Sequence, residues 1–315
     1  MKLRIRIAAT ALALGLALVG ALAEVRTSHA QQVADTLFVP KVGSPAHPAD
    51  KGPLVLIDEA HHNFHTAAGR YLPFARTLRQ DGYVVQSNSS RFTPELLRPA
   101  RILVIANALA AENASDWVLP TPSAFDSIET VAVQEWVRDG GSLLLIADHM
   151  PFPGAVEDLA AGFGIYMANG FATVDGGNEG RMQFTRTSGT LADHPITRGR
   201  KASERVDEVM SFTGQAFRVE SPGAPLMTLE KNVILLLPQV AWQFSKLTPA
   251  MYAAGMHQGA ALSFGKGRVA VFGEAAMFSA QVTGPNRAPM GMNDPAAPNN
   301  AQFLLNVMHW LEGLL

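Results

Sequence analysis

Short apolar runs alternate with amphipathic segments along most of the chain. Four runs of three or four apolar residues are too short for buried helices and predict buried strands. They lie at residues 54–57, 83–85, 102–105 and 143–146. Apolar residues recur at helical spacing between positions 71 and 78 and again between 128 and 137, and a further helix is predicted over 156–163. Strands that are apolar on both sides indicate a parallel sheet with helices on both faces.

Residues 165–260 depart from this pattern, because glycine and threonine are frequent and the apolar runs are separated by turns. The alternation at 182–185 and the run at 233–237 predict strands of an antiparallel excursion attached to the sheet. The first pattern then returns, with a strand at 269–272 and an amphipathic helix at 302–314. We therefore predict an α/β fold with an open, mostly parallel sheet and one insertion.

Residues 1–30 have the organisation of an export signal. Three Lys or Arg residues in the first six positions precede an apolar run over 8–23, and small-x-small cleavage sequences end at Ala23 and Ala30. An uncleaved membrane anchor is the alternative, but the run is shorter than the ~20 residues that a span needs. We expect cleavage near one of these alanines and a periplasmic or secreted product without a stable membrane span.

Residues 31–52 contain three prolines and predict an extended tether, which leaves residues 53–315 for the single α/β domain. The leader carries four of the 25 Lys and Arg residues and one of the 27 Asp and Glu residues, so the mature chain has a formal charge of −5. This charge and the absence of Lys/Arg clusters argue against a nucleic-acid partner. No G-x-x-x-x-G-K-[ST] motif precedes the run at 54–57, so we predict no nucleotide cofactor.

Polar residues collect where the predicted parallel strands end, which is where open α/β sheets bind ligands. The candidate acid–base catalysts are Glu59, His61 and His149. The candidate ligand-binding residues are Asn107, Asn300 and Phe152. The candidate ligands for a divalent metal, namely Zn, Mn or Fe, are Asp58, His62, His65, Asp148 and Glu274.

Each of these residues also has a structural interpretation. Asp58 would cap a helix, a histidine would donate to a backbone carbonyl, and Glu274 would bind loop amides. His61 and His65 have the spacing of H-E-x-x-H, but position 62 is His, so the metalloprotease motif is broken. Chemistry without a metal therefore stays open, with Glu59 or His149 as the base.

Several segments together carry a family resemblance. They are the strand leading into Asp58-Glu59, the segments 136–143, 194–199 and 267–274, and Asn300 with the terminal Trp310-Leu311. The layout resembles the class I glutamine amidotransferase-like superfamily, in its exported branch near the trehalose-utilisation (ThuA-like) proteins. The resemblance implies a flavodoxin-like sheet but brings no activity with it. Amidotransferase chemistry needs a cysteine and this chain has none, so glutamine hydrolysis by that mechanism is excluded.

Two classes of function remain. The first is an exported hydrolase or lyase that acts on a small polar substrate, such as a sugar derivative or an envelope fragment, with or without a metal. The second is a non-catalytic module that binds a carbohydrate-like or other small ligand in the envelope. The density of ionisable residues favours the enzyme, because catalysis needs coupled titrating groups.

Overall fold

The computed structural model describes residues 32–176 and 180–315, and the predicted leader over residues 1–30 lies outside them. The strands in chain order are β1 (Val33–Ala34), β2 (Leu54–Asp58), β3 (Val84–Asn88), β4 (Ile102–Ala106), β5 (Ser142–Ile146), β6 (Ile165–Met167), β7 (Phe171–Val174), β8 (Met182–Thr185), β9 (Glu208–Ser211), β10 (Phe217–Val219), β11 (Ala224–Thr228), β12 (Val233–Leu236), β13 (Ala250–Tyr252), β14 (His257–Phe264), β15 (Gly267–Phe272), β16 (Ala280–Thr283) and β17 (Ala288–Gly291). The helices are α1 (Leu72–Gln80), α2 (Pro94–Leu97), α3 (Ser127–Arg138), α4 (Phe152–Ala155), α5 (Glu157–Ala161), α6 (Pro195–Arg198) and α7 (Asn300–Glu312), with 3-10 turns at Ala111–Asn113, Ala202–Glu204 and Ala276–Phe278.

A nine-stranded sheet forms the centre of the fold. Its strand order is β3-β2-β4-β5-β15-β14-β10-β6, and β11 also pairs with β14. Five neighbouring strands of this order are parallel to one another, namely β3, β2, β4, β5 and β15. The remaining strands, β14, β10, β6 and β11, are antiparallel to their neighbours. Numbered along the chain, the five parallel strands lie in the spatial order 2-1-3-4-5, which is common in doubly wound sheets. The chain therefore reverses its direction of growth between β2 and β4.

The two faces of the parallel part bury separate apolar clusters. On β5, Leu144 and Ile146 belong to the cluster that α1 and α7 cover, whereas Leu143 and Leu145 belong to the cluster that α3 and α5 cover. Successive side chains of a strand point to opposite faces, which is why every position of β4 and β5 is buried. The predicted α/β architecture, with a mostly parallel sheet, is confirmed.

Helix α3 shows how local sequence sets an element boundary. The Asp126 carboxylate accepts a hydrogen bond from the Glu129 amide, and the Glu129 carboxylate accepts one from the Asp126 amide, which together form a capping box. The helix ends at Arg138 and is followed by Asp139 as its cap and by Gly140 at φ +125°. The helix predicted over 156–163 corresponds to the shorter α5, and a second short helix, α4, precedes it and was not predicted.

The predicted excursion is present and divides its strands among three sheets. Strands β13, β12 and β7 form one antiparallel sheet, β8 and β9 form another, and β6, β10 and β11 extend the central sheet. The strands predicted at 182–185 and 233–237 correspond to β8 and β12. Strands β16 and β17, which the apolar pattern did not predict, form a further sheet with β1.

The segment predicted as a tether lies against the domain. Strand β1 pairs with β16, and the amide of Ala46 donates to the Asp81 carboxylate at 2.7 Å. His47 lies 3.0 Å from the Glu312 carboxylate at the end of α7, so the segment contacts both chain halves. Residues 32–315 accordingly form one compact unit. Within the described ranges, no helix is both long enough and apolar enough to cross a bilayer.

Candidate functional site

The carboxyl ends of the parallel strands share one edge, and the predicted site residues there fall into two groups. One group fills the region between β2 and β4, where the chain reverses its direction of growth. The other follows β5 and β15. In the first group, carboxylates are paired with an imidazole. The second group contains two carboxyls close enough for one charge to affect the other.

The first group is an ionic cluster centred on His61. Its Nδ1 lies 2.9 Å from both Asp58 carboxylate oxygens, and its Nε2 lies 3.0 Å from Oε1 of Glu129. The ring also packs between Phe92 and Phe125, at centroid distances of 4.8 and 4.6 Å. Burial lowers the pKa of His61, but the hydrogen bonds and charges of Asp58 and Glu129 outweigh it, so the pKa is raised.

Both ring nitrogens of His61 are therefore engaged by carboxylates, which favours the imidazolium form of the ring. This geometry gives the predicted acid–base residue a structural role, because neither nitrogen is left for a substrate. Asp58 serves the same cluster and also accepts from Asn63 at 3.0 Å, so it neither caps a helix nor presents an open carboxylate to a metal. Glu129, which supplies the other side of the cluster, was not predicted from the sequence.

Two further residues after β2 also have structural partners. Oε1 of Glu59, the predicted base, accepts hydrogen bonds from the Ala67 amide at 2.7 Å and from the Ser87 hydroxyl at 2.8 Å. His62, a predicted metal ligand, is exposed and its backbone lies at φ +46°. Glu59 therefore holds the loop after β2 in place, and His62 lies on the outer surface of that loop.

Asn107 connects the two groups. Its Nδ2 donates to Nδ1 of the buried His65 at 3.1 Å, and its Oδ1 accepts from the Asp148 amide at 2.9 Å. Burial, followed by the charges of Arg70 and His149, lowers the pKa of His65 to about 3, so this imidazole is neutral. Asn107 reaches both partners from a left-handed backbone conformation at φ +53°. The predicted ligand-binding residue thus positions Asp148.

The second group contains two carboxyls, Asp148 after β5 and Glu274 after β15. Glu274 is fully buried and accepts from the amides of Ala276 and Met277, each at 2.8 Å, which is the loop-binding role that the sequence left open. Burial and the charge of Asp148 raise the pKa of Glu274 well above its usual value. Burial likewise raises the pKa of Asp148. Two like charges in one buried region favour retention of a proton.

His149 lies beside this carboxyl pair among aromatic rings. Its Nδ1 is 2.8 Å from the carbonyl oxygen of Met150. Its ring stacks on Phe171 at 4.5 Å and meets Trp242 nearly perpendicularly at 4.6 Å, with Phe152 and Trp117 slightly farther away. Asp148 and His149 are both buried, with 8% and 7% of their surface exposed.

Trp117, Phe171 and Trp242 were not among the predicted site residues. They come from a loop after β4 and from the excursion, and nothing local in the sequence distinguishes them from core aromatics. The predicted Phe152 is buried in the same aromatic group. Asn300, predicted to bind a ligand, instead binds both backbone polar atoms of Met210 and so holds β9 against α7.

Two buried glutamines lie next to the second group. Gln215 donates to the Ala147 carbonyl at 3.4 Å, and its Oε1 has no hydrogen-bond partner among the described residues. Neither amide atom of Gln258 has such a partner. A Cβ built on Gly214 would lie 2.8 Å from Nε2 of Gln258 and 3.1 Å from Cβ of Glu274, which shows how closely these groups are packed.

The five predicted metal ligands do not form one cluster, because Asp58 is bound to His61 and His62 is exposed. In the ranges that the structure describes, no three His, Asp or Glu side chains are placed to hold a metal ion. Two surface cavities, of about 300 and 240 Å³, lie elsewhere. One is lined by residues that include Arg200 and Lys201, the other by residues around Arg181 and Leu229, and neither is lined by a predicted site residue.

A search of family models and of curated proteins finds no match. Among solved structures, the N-terminal domain of mmIFT52 is similar with a TM-score of 0.57 at 15% identity, over 82% of this chain and 97% of that one. A cytoplasmic protein of Salmonella typhimurium LT2 gives 0.49 at 15% identity, covering 82% and 99%. A protein from Bacteroides uniformis described as ThuA-like gives 0.47 at 10%, covering 87% and 94%. At these identities the likeness concerns the fold alone.

Proposed function

We propose that the chain is a hydrolase or lyase that acts on a small polar, sugar-derived substrate at Asp148 and His149. The observation that carries the proposal is the adjacency of these two residues after β5, next to the buried carboxyl of Glu274. The other predicted pair at the sheet edge, Asp58 and His61, is already joined in the ionic cluster with Glu129, so Asp148 and His149 are the pair that supports the proposal.

The proposed chemistry depends on the burial of Asp148 beside His149. Burial raises the pKa of Asp148, so this carboxyl keeps its proton to higher pH than an exposed aspartate and would serve as the general acid. The imidazole of His149 would act as the complementary base or orient the substrate. Asn107 would act through Asp148, whose amide it binds, rather than on the substrate.

We also propose the finer assignments that the sequence suggests. The strand order 2-1-3-4-5 supports a flavodoxin-like sheet, and the chain would belong to an exported branch of the ThuA-like group. The basic start and apolar run of the leader support export to the periplasm or beyond. The chain has no cysteine, so its chemistry would differ from that of thiol-dependent amidotransferases.

The test is a substrate screen of the mature protein with glycosides, sugar esters and uronic-acid oligomers, in which products are detected by mass spectrometry. We expect turnover that falls at least about a hundredfold in Asp148→Asn and in His149→Gln, which is the usual scale of acid–base catalysis. His62→Gln is the matched control, since this histidine is exposed on a neighbouring loop. Ligand binding without turnover would instead support the binding module, and turnover unaffected by both variants would overturn the site.

A further inference from the structure

The rim beside His149 exposes aromatic side chains, although aromatic rings of this size are usually buried. Trp242 is 39% exposed and Phe244 is 43% exposed, and both contact the buried Phe171, at ring distances of 4.8 and 5.1 Å. Trp242 also contacts His149, which directly follows Asp148 in the chain. The exposed rings are therefore continuous with the proposed site.

The backbone of this rim is built to hold Trp242 in place. Trp242 has φ +65°, a left-handed conformation that costs a non-glycine residue about 1–2 kcal/mol. Hydrogen bonds on either side sustain it, from the Ala241 amide to the Trp117 carbonyl at 2.8 Å and from the Gln243 amide to the Val240 carbonyl at 3.1 Å. Strain that the surroundings maintain at a non-glycine residue is concentrated at ligand sites.

We propose that Trp242 and Phe244 form a platform for the pyranose ring of a carbohydrate, with the ring hydroxyls directed towards Asp148. The sugar would stack on Trp242, and Phe244, whose ring lies 6.5 Å away and nearly perpendicular to the indole, would close one side. The inference rests on the proposed function and adds which residues would bind the sugar and by which face of its ring. A pyranose presents an apolar C–H face and a polar hydroxyl edge, which match an aromatic ring beside a carboxyl acceptor. An acyl chain would match the rings but would place hydrocarbon against Asp148, which is unfavourable for that polar group.

The experiment measures binding rather than turnover. Isothermal titration of the mature protein with maltose, cellobiose and N,N′-diacetylchitobiose should show saturable binding of at least one disaccharide. We expect Trp242→Ala to weaken it about tenfold, the upper end of the contribution of one aromatic pair, and Trp242→Phe to stay within about threefold. Leu247→Ala is the matched control, because Leu247 is 91% exposed on the same loop and lies outside the platform.

Several outcomes overturn the platform. One is the absence of disaccharide binding, and another is equal binding by Trp242→Ala. A third is Trp242-dependent binding to phosphatidylcholine vesicles without disaccharide binding, which would assign the rim to lipid. If Trp242→Ala fails to fold, Phe244→Ala provides the same comparison. Disaccharide binding without turnover would support the platform and refute the hydrolase or lyase. Turnover of a substrate that has no sugar ring, at a rate unchanged in Trp242→Ala, would support the enzyme and refute the platform.

Discussion

Replacing Glu129 with Gln tests the ionic cluster around His61 most directly. The carboxylate accepts from Nε2 of His61 at 3.0 Å, from the Phe92 amide at 3.0 Å and from Arg91 at 3.2 Å, with 3% of the residue exposed. The amide keeps the shape and one acceptor but loses the charge that faces the imidazolium. A buried hydrogen bond to a charged partner contributes about 1.5–3 kcal/mol, so we expect a loss of about 2–3 kcal/mol.

The pH dependence gives a second, independent readout. The pKa of His61 in the folded protein is raised above its unfolded value of 6.5, so the folded state binds more protons in that interval. The stabilisation by the imidazolium is fully present below pH 6.5 and is lost as the pH rises through the folded pKa. Without the Glu129 charge the folded pKa moves down, so Glu129→Gln should lose less stability than the wild type between pH 6 and 9.

Urea unfolding at pH 6 and pH 9 measures both effects. The control is Glu135→Gln on the same helix, whose carboxylate is exposed and should matter by less than about 0.5 kcal/mol. Two results would refute the reasoning. One is a change in Glu129→Gln no larger than that of the control, and the other is an equal loss of stability with pH in variant and wild type.

Two other predictions concern the second polar group. Burial raises the pKa of Asp148, so the folded state holds this proton more tightly than the unfolded state does. The stability that this gives is lost as the pH rises from 3.8 through the folded pKa. We therefore expect the melting temperature of Asp148→Asn to change less with pH over that window than the melting temperature of the wild type. An unchanged slope would contradict this. In urea unfolding, Gly214→Ala should lower the free energy of unfolding at least twice as much as Gly189→Ala does. Both glycines have positive φ, but only at Gly214 would the new Cβ meet a backbone atom, 2.3 Å away; similar losses would argue against that clash.

The strands were predictable because their sequence patterns are local. The apolar runs predicted as strands correspond to β2, β3, β4, β5 and β15, within a few residues at their ends. A short run that is apolar on both faces has few stable environments other than the middle of a covered sheet. Helix α4 and the strands β16 and β17 lacked such a pattern, so the sequence did not predict them.

The sequence predicted where in the fold the candidate site lies, but not which of the polar residues belong to it. The strand ends correctly indicated where polar residues collect, since parallel strands end at one edge. His61 and His149 were indistinguishable at that level, as both follow buried strands. One of the two carboxylates that engage His61 comes from Glu129, 68 residues away, and two of the rings beside His149 come from Phe171 and Trp242 in the excursion.

The sequence by itself determined the α/β class, the strands of the parallel sheet and the exclusion of thiol chemistry by the absence of cysteine. These properties depend on side-chain pattern over a few residues or on composition. Only the tertiary structure decided that His61 is locked between two carboxylates while Asp148, His149 and Glu274 come together beside an exposed tryptophan. The state of a polar side chain depends on burial and on charges brought close by strand order and loop packing, which no local pattern encodes.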